Sequence, residues 1–383
     1  MSERVLHVGK VSGISGSEAH LLTLLPALRA RGWDARFALL HEDEPGAWEF
    51  ARLLTEAGVP VEGIRLPRTV DPVAFRRLSS LVRRTRPAIL HTHLVHADFY
   101  GLEAGWLARV PVRVSTKHGF NPFRSSRAFA LADRAVARLA QVHIAISAGL
   151  ARYLAETEGF DAGSFEIVHY GIAAGPEPPS PAGLRLLCVG RLIAVKGHET
   201  LLLAFGEARR AVPDLTLDLV GDGPLRGELE ALAASLDLGE SVRFRGRVDG
   251  AAREMERAAV VVVPSLGEGF GMVALEAAER GRPVVASAVG GLPEIVDGGR
   301  TGVLVPPGDP ERLADALVEL VRDPERAAGM GRAARERALT EFSLDRCADR
   351  IDAIYRAALS RRTRSRSTAR PASRASTKSK EMR

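Results

Sequence analysis

Cysteine is nearly absent: Cys188 and Cys347 are the only two in 383 residues. One lies in a strand-like run and the other in a helical pattern, so a disulfide framework is not indicated and both read as core fillers. Long apolar stretches are missing too. No uninterrupted run reaches the roughly 20 residues that cross a bilayer. Residues 1–4, followed at once by the strand-like VLHVG, lack the zones of a secretory leader, so a cytoplasmic protein is expected. The body also lacks the positive charge that the total suggests. The formal net charge is +6, but residues 360–383 hold nine Lys or Arg against Glu381 alone, a contribution of +8 that leaves the remainder at −2. That tail is rich in Ser, Thr, Arg and Ala and cannot bury enough surface to fold, so 360–383 is expected to be disordered. A solvated terminus is the plain reading, and contact with nucleic acid or anionic lipid the alternative.

What the chain does have is room for two cores: 383 residues with 46% hydrophobic content suit two α/β domains. Strand-like runs alternate with helical patterns, the signature of parallel βαβ architecture. In the first half they fall at 5–9, 35–40, 61–66, 88–93, 112–117, 142–147 and 166–170. The four prolines of GPEPPSPAG, 175–183, then make a stiff linker between domains 1–174 and 184–341. A second series follows at 184–190, 215–221, 242–246, 260–264, 283–287 and 302–306. The expected architecture is two facing Rossmann-like, doubly wound domains with a cleft between them.

The densest chemistry lies in GEGFGMVALEAAERGRPVVAS, 267–287, directly after the strand 260–263. A strand that ends in glycines and opens a helix aims backbone N–H groups and the positive end of the helix dipole at its ligand, which suits a phosphate. Gly269 and Gly271 let the backbone come close to that ligand. Glu268 sits in the turn, and Glu276 points from the helix flank about a turn and a half further on, so the two acids are expected to serve different groups of one ligand. Arg191 and Lys196 follow the strand 184–190, at the carboxyl end where open α/β sheets bind ligands. Lys196 is followed by Gly197 rather than Ser or Thr, so this is not a Walker A loop. Gly9, Gly13 and Gly16 after the first strand do not match G-x-G-x-x-G, and no acidic residue ends the second strand before Glu42, which makes a nicotinamide dehydrogenase a poor second. Ser17 is expected to cap the helix that follows.

GRLIAVKGHETLLLAF (190–205), GDGPLRGELE (221–230), VRFRGRV (242–248) and VPSLGEGFGMVALEAAERGRPVVAS together resemble the family-4 retaining glycosyltransferases of GT-B fold, the glycosyl transferases group 1. The resemblance extends to about residue 359. It implies transfer of a sugar, with retention, from a nucleotide diphosphate sugar such as a UDP- or GDP-sugar to an acceptor hydroxyl on a glycan, lipid or small molecule. It also implies that residues 342–359 cross back to brace the first domain. By this resemblance Gly16 lies under the sugar and diphosphate. Arg191, Lys196 and the N–H groups of Gly271, Met272 and Val273 hold the phosphates, with Gly269 and Phe270 in the same loop, Glu276 the ribose hydroxyls, and Val248 the base. Glu268 and His118 are the expected catalytic residues, His118 standing after the strand 112–117 and contacting the donor sugar.

No cofactor and no metal are expected: the chain has no Asp-x-Asp, which metal-dependent GT-A transferases usually carry. His91, His93 and His96 suggest a zinc cluster, but Asp98 alone stands by to complete a ligand set, and no metal is favoured. Relatives often carry Asn-Gly-Val/Ile-Asp after the last strand of the first domain; here it is HYGIA, with Tyr170 and Ala173. The stretch 119–140 mixes Phe120, Phe123 and Phe129 with Arg124, Arg127, Arg134 and Arg138. It reads as an amphipathic helix covering the sheet, with peripheral contact to the inner membrane face as the alternative. Rival readings are a sugar-nucleotide-binding protein without transfer activity, an epimerase on the same fold, and a nucleic-acid binder driven by the tail; no specific nucleic acid is expected.

Overall fold

The computed structural model describes residues 3–120, 127–177, 179, 183–248 and 250–368, with the backbone alone at 127–130 and 363–368. Thirteen strands form two all-parallel sheets. The first holds β1 (Arg4–Lys10), β2 (Asp34–His41), β3 (Val61–Arg65), β4 (Ile89–His93), β5 (Val112–Lys117), β6 (Val142–Ala145) and β7 (Phe165–Ile167) in the order β3-β2-β1-β4-β5-β6-β7. The second holds β8 (Arg185–Val189), β9 (Thr216–Val220), β10 (Val242–Gly246), β11 (Val260–Val263), β12 (Val284–Ser287) and β13 (Gly302–Val305) in the order β10-β9-β8-β11-β12-β13. Every strand read from the sequence is present. Parallel strands covered on both faces leave continuous apolar runs, and β11, four valines that are all buried, is the extreme case. Each sheet reverses its winding once, between β1 and β4 and between β8 and β11. At such switch points the loops diverge and leave a crevice.

Helices start where short polar residues precede the apolar stripe. Asp71, Asp309 and Asp323 each accept from backbone N–H groups of the helix they cap, and each is followed by a proline whose missing N–H costs nothing in the first turn. The first helix departs from expectation. It runs Gly16–Ala30 with Ser15, not Ser17, at the cap; Glu18 reaches back to accept from the Ser15 N–H at 3.1 Å and from the Ser17 hydroxyl at 3.0 Å. Ser17 therefore lies inside the first turn and serves Glu18.

The domains meet over an apolar joint. Ile146, Leu150, Phe165 and Tyr170 of the first domain pack in one cluster with Phe270, Leu275, Leu292 and Phe342. The last helix, Leu344–Thr368, lays Cys347, Ala348, Ile351, Ile354, Tyr355 and Ala358 into the core of the first domain. Its backbone stays helical nine residues beyond 359, where the sequence suggests disorder; residues 369–383 of the expected tail lie outside the described residues. So do 121–126, which include Phe123 and Arg124; 127–137 of that stretch is a helix. Linker residues 178 and 180–182 are outside as well. Among the described residues no helix is long and apolar enough to cross a membrane.

Candidate functional site

The loops after β8 and β11 stand side by side at the switch point of the second sheet, and they bring together residues 72 positions apart. Lys196 Nζ lies 2.6 Å from Glu268 Oε2, and Ser265 Oγ donates to the same oxygen at 3.3 Å. The family resemblance assigns the lysine to the phosphates and makes the glutamate an expected catalytic residue. Here they pair with each other, which holds the half-buried carboxylate in place. Arg191 is exposed in the same loop, and no acidic partner for it is present among the described residues. The helix Met272–Glu279 opens directly beyond, capped by Gly271 at φ 112°, a left-handed conformation that a side chain would strain. Its first N–H groups have no intrahelical acceptor, the feature on which the phosphate expectation rests. Glu276 sits on the helix flank, and burial pushes its carboxyl up, with Arg280 opposing the rise.

The first domain closes over this loop from the opposite side. A Cβ on Gly16 would lie 3.3 Å from Met272 Cγ, and one on Gly269 would lie 3.1 Å from the His118 carbonyl oxygen. Gly16, Met272, Gly269 and His118 therefore form one seam. Ser147 Oγ donates to the Gly269 carbonyl at 2.6 Å, and Glu294 accepts from the Ala148 and Gly149 N–H groups at 3.0 and 2.8 Å and pairs with His169 at 2.8 Å. Sequence reasoning missed Glu294; the signal available was a glutamate in a short helix after two glycines. Phe270 is buried in the joint, with Met272 and Val273 half-buried beside it. Val248 is half-buried against the same cluster, next to residue 249, which is not described.

His118 occupies the expected place but turns inward. Its Nε2 lies 2.9 Å from His93 Nδ1 and its Nδ1 meets the Tyr170 hydroxyl, so neither ring nitrogen is directed at the crevice. Burial pulls the ring down to about 3 and keeps it neutral. The histidine cluster also differs in membership from the sequence reading. His96 stays apart near Lys10 and Glu42, and His7 of β1 takes its place because it pairs in register with His91 of β4.

The donor atoms of His7, His91 and His93 lie within 4.8 Å of one another, close enough to raise the question of a metal. The rings are arranged for hydrogen bonds instead. His7 Nδ1 and His93 Nε2 are 2.9 Å apart in nearly coplanar rings whose centroids are 5.2 Å apart, an end-to-end N–H···N geometry. His91 spends both nitrogens on the Tyr355 hydroxyl at 2.5 Å and the Thr116 hydroxyl at 2.6 Å. A metal about 2.0–2.1 Å from each nitrogen would have to leave the line on which the His7 and His93 lone pairs meet.

Comparison with known proteins places this architecture. Residues 15–171 match the model for a glycosyl transferase 4-like domain, and residues 183–323 match that for glycosyl transferases group 1. A glycogen synthase of Mycobacterium tuberculosis is 31% identical over 292 residues, covering 72% of this chain and 70% of its own. A D-inositol 3-phosphate glycosyltransferase of Segniliparus rotundus is 30% identical over 352 residues, covering 83% of this chain and 78% of its own. Among solved structures, Anabaena HepE in complex with UDP and glucose superposes with a TM-score of 0.81 at 22% identity, over 93% of this chain and all of that one. With both halves matched and the switch-point loops in place, the chain belongs to the glycosyl transferases group 1, the family-4 glycosyltransferases of GT-B fold.

Proposed function

We propose that the protein moves a glycosyl unit from a nucleoside diphosphate sugar to an acceptor hydroxyl, with retention at the anomeric carbon and with protein cations in place of a metal. The observation that carries this reading is the Lys196–Glu268 pair, 2.6 Å apart at the switch point, with Arg191 exposed beside it and the Gly271-capped helix beyond. A diphosphate entering the crevice competes for Lys196 and frees Glu268 to accept from sugar hydroxyls. Arg191, Lys196 and the N–H groups of Gly271, Met272 and Val273 then offset the charge that grows on the leaving group. Glu276 accepts from the ribose, the base lies by Val248, and Gly16 and His118 close the sugar end.

In the step itself the bond from the anomeric carbon to the phosphate oxygen breaks and a bond to the acceptor oxygen forms on the same face. The departing phosphate oxygen takes the acceptor proton. A double displacement would call for a carboxylate nucleophile with a second carboxyl about 5 Å away. In this reading Glu268 accepts from the sugar hydroxyls and Glu276 from the ribose, which leaves no such carboxyl pair at the anomeric carbon. The acceptor is a hydroxyl on a glycan, lipid or small molecule.

The test is a thermal-shift panel of UDP-, GDP-, ADP- and TDP-sugars, with and without EDTA, on the wild type, Lys196→Ala and Glu276→Ala. A donor at a hundred times its Kd adds about 2.7 kcal/mol. The expected result is a rise with one nucleotide sugar that EDTA spares and both substitutions abolish, followed by an axial or equatorial product of unchanged anomeric configuration by NMR. No rise with any nucleotide, or an inverted product, overturns the reading.

A further inference from the structure

Four side chains from four separate segments form one hydrogen-bonded line through the first domain. His7 Nδ1 meets His93 Nε2 at 2.9 Å, His93 Nδ1 meets His118 Nε2 at 2.9 Å, and His118 Nδ1 meets the Tyr170 hydroxyl. The line begins beneath β1 and ends at the domain joint, where Tyr170 stacks on His20 with ring centroids 4.1 Å apart and meets Phe270 edge-on at 5.2 Å.

A neutral imidazole has one N–H and one acceptor nitrogen, so each ring's tautomer fixes the next. The phenol is the better donor and imidazole the better acceptor of the end pair. Tyr170 O–H therefore donates to His118 Nδ1, His118 Nε2–H to His93 Nδ1, and His93 Nε2–H to His7 Nδ1. That leaves His7 with an Nε2–H, and His7 Nε2 is a buried atom without a hydrogen-bond partner among the described residues. An orphan of this kind calls for an explanation. The line supplies one: the unsatisfied group is the far terminus of an order imposed from Tyr170.

We propose that Tyr170, His93 and His7 are positioning residues that hold His118 as a neutral ring in a single tautomer at the sugar end of the cleft. His118 then spends both ring nitrogens within the line and lines the sugar end of the cleft as a fixed ring without net charge. The groups facing the line are His20, His91 and Asp98 and, around Tyr170, Glu18, Glu268 and Cys347. Burial outweighs them, since His7 and His118 are each pulled down to about 3. The role assigned to His118 rests on the glycosyltransferase reading above, whereas the tautomer order does not.

The experiment is a long-range 1H–15N spectrum of the full chain labelled in histidine, assigned with His7→Gln and His93→Gln and recorded from pH 8 to 5. Wild type is expected to show His118, His93 and His7 all as Nε2–H and untitrated over that range. Tyr170→Phe removes the ordering donor and leaves the two orders equally satisfied, so Nδ1–H populations are expected to appear in all three rings together, including His7 at the far end. In His93→Gln, His7 and His118 should respond independently. Donor turnover in Tyr170→Phe should fall about tenfold in kcat while the Kd for the nucleotide stays within twofold. The proposal is overturned if His7 keeps its tautomer in Tyr170→Phe, or if His118 titrates near 6.5 in the wild type. Loss of nucleotide binding by the wild type would overturn the donor reading and leave the tautomer result standing.

Discussion

The two switch points face each other across one cleft and handle charge in opposite ways. At the second sheet, Lys196, Glu268 and Arg191 are charged and partly open to solvent, and a Coulombic pair holds the site ready for an anion. At the first sheet His7 and His93 are buried and neutral and are joined with half-buried His118 by N–H···N bonds, while Lys117 of β5 and Asp98 are buried as an ion pair 2.6 Å apart. The difference follows from depth. Loops beyond the strand ends reach water and can keep ions, whereas His7, His91 and His93 lie within β1 and β4, where an unpaired charge is too costly and the ring sheds its proton. One half of the cleft thus carries exposed and half-buried ionic groups, and the other a line of neutral rings.

The most direct way to break this contrast is Lys196→Ala. Removing one preorganised charge from a transferring diphosphate should lower turnover about 10²–10³-fold, read by donor consumption. A loss below about threefold would mean that the pair with Glu268 is structural. Next is Gly290→Ala. Gly290 has φ 54°, and a Cβ there would lie 1.6 Å from the Glu268 carbonyl oxygen, so the phosphate loop must shift. A loss of several kcal/mol in urea unfolding is expected, and a variant within 0.5 kcal/mol of wild type would refute the geometry.

The neutral half should reveal itself through pH. His7, His20 and His118 are each pulled to about 3 by burial, while in the unfolded chain they titrate near 6.5. Between these values the unfolded state binds more protons, so stability is full above about 6.5 and falls as pH drops, by at most about 1.4 kcal/mol per pH unit for each ring. Urea unfolding between pH 7 and 5 should show uptake of more than one proton; a flat profile would mean the rings are not buried neutral.

Glu294→Gln sharpens the comparison at the seam between the halves. Its carboxyl is held below the usual range by the His169 contact and the Ala148 and Gly149 N–H groups, against the opposing effect of burial. That contribution is present above about 4.5 and lost as pH falls through the lower folded value. The substitution should cost about 1–3 kcal/mol at pH 7 and flatten the acid limb below 4.5. The smallest effect is expected from deleting 369–383, which should leave donor turnover within about twofold; a larger loss would bring the basic tail into the reaction.

Much of the architecture was legible because its cause is local. Buried parallel strands need apolar runs, as in β11, whereas edge strands such as β3 and β10 mix apolar and charged residues and were read from their place in the alternation with helices. The Gly269–Gly271 turn, Lys196 and Glu268 were readable because strand-end glycines, cations and acids mark a loop that receives anions. Ser15 was missed as the cap because Ser15 and Ser17 both suit that position and only the backbone turn chooses between them. The histidine line was misread for a different reason. His91, His93 and His96 are neighbours in sequence, but β4 puts only the first two on one face, and the parallel pairing of β1 with β4 supplies His7, 86 residues from His93. Tyr170 stood out as a departure from the motif, yet its meeting with His118, 52 residues away, could not be read from spacing.

The sequence by itself determined two βαβ domains, a glycine-rich loop at a strand end and the charges beside it, because periodicity, turn glycines and strand-end polarity act over a few residues. The tertiary structure decided which groups touch: Lys196 with Glu268, Gly16 with Met272, Tyr170 with His118. Those contacts depend on strand order and domain closure, and both are fixed by burial of apolar faces far apart in the chain.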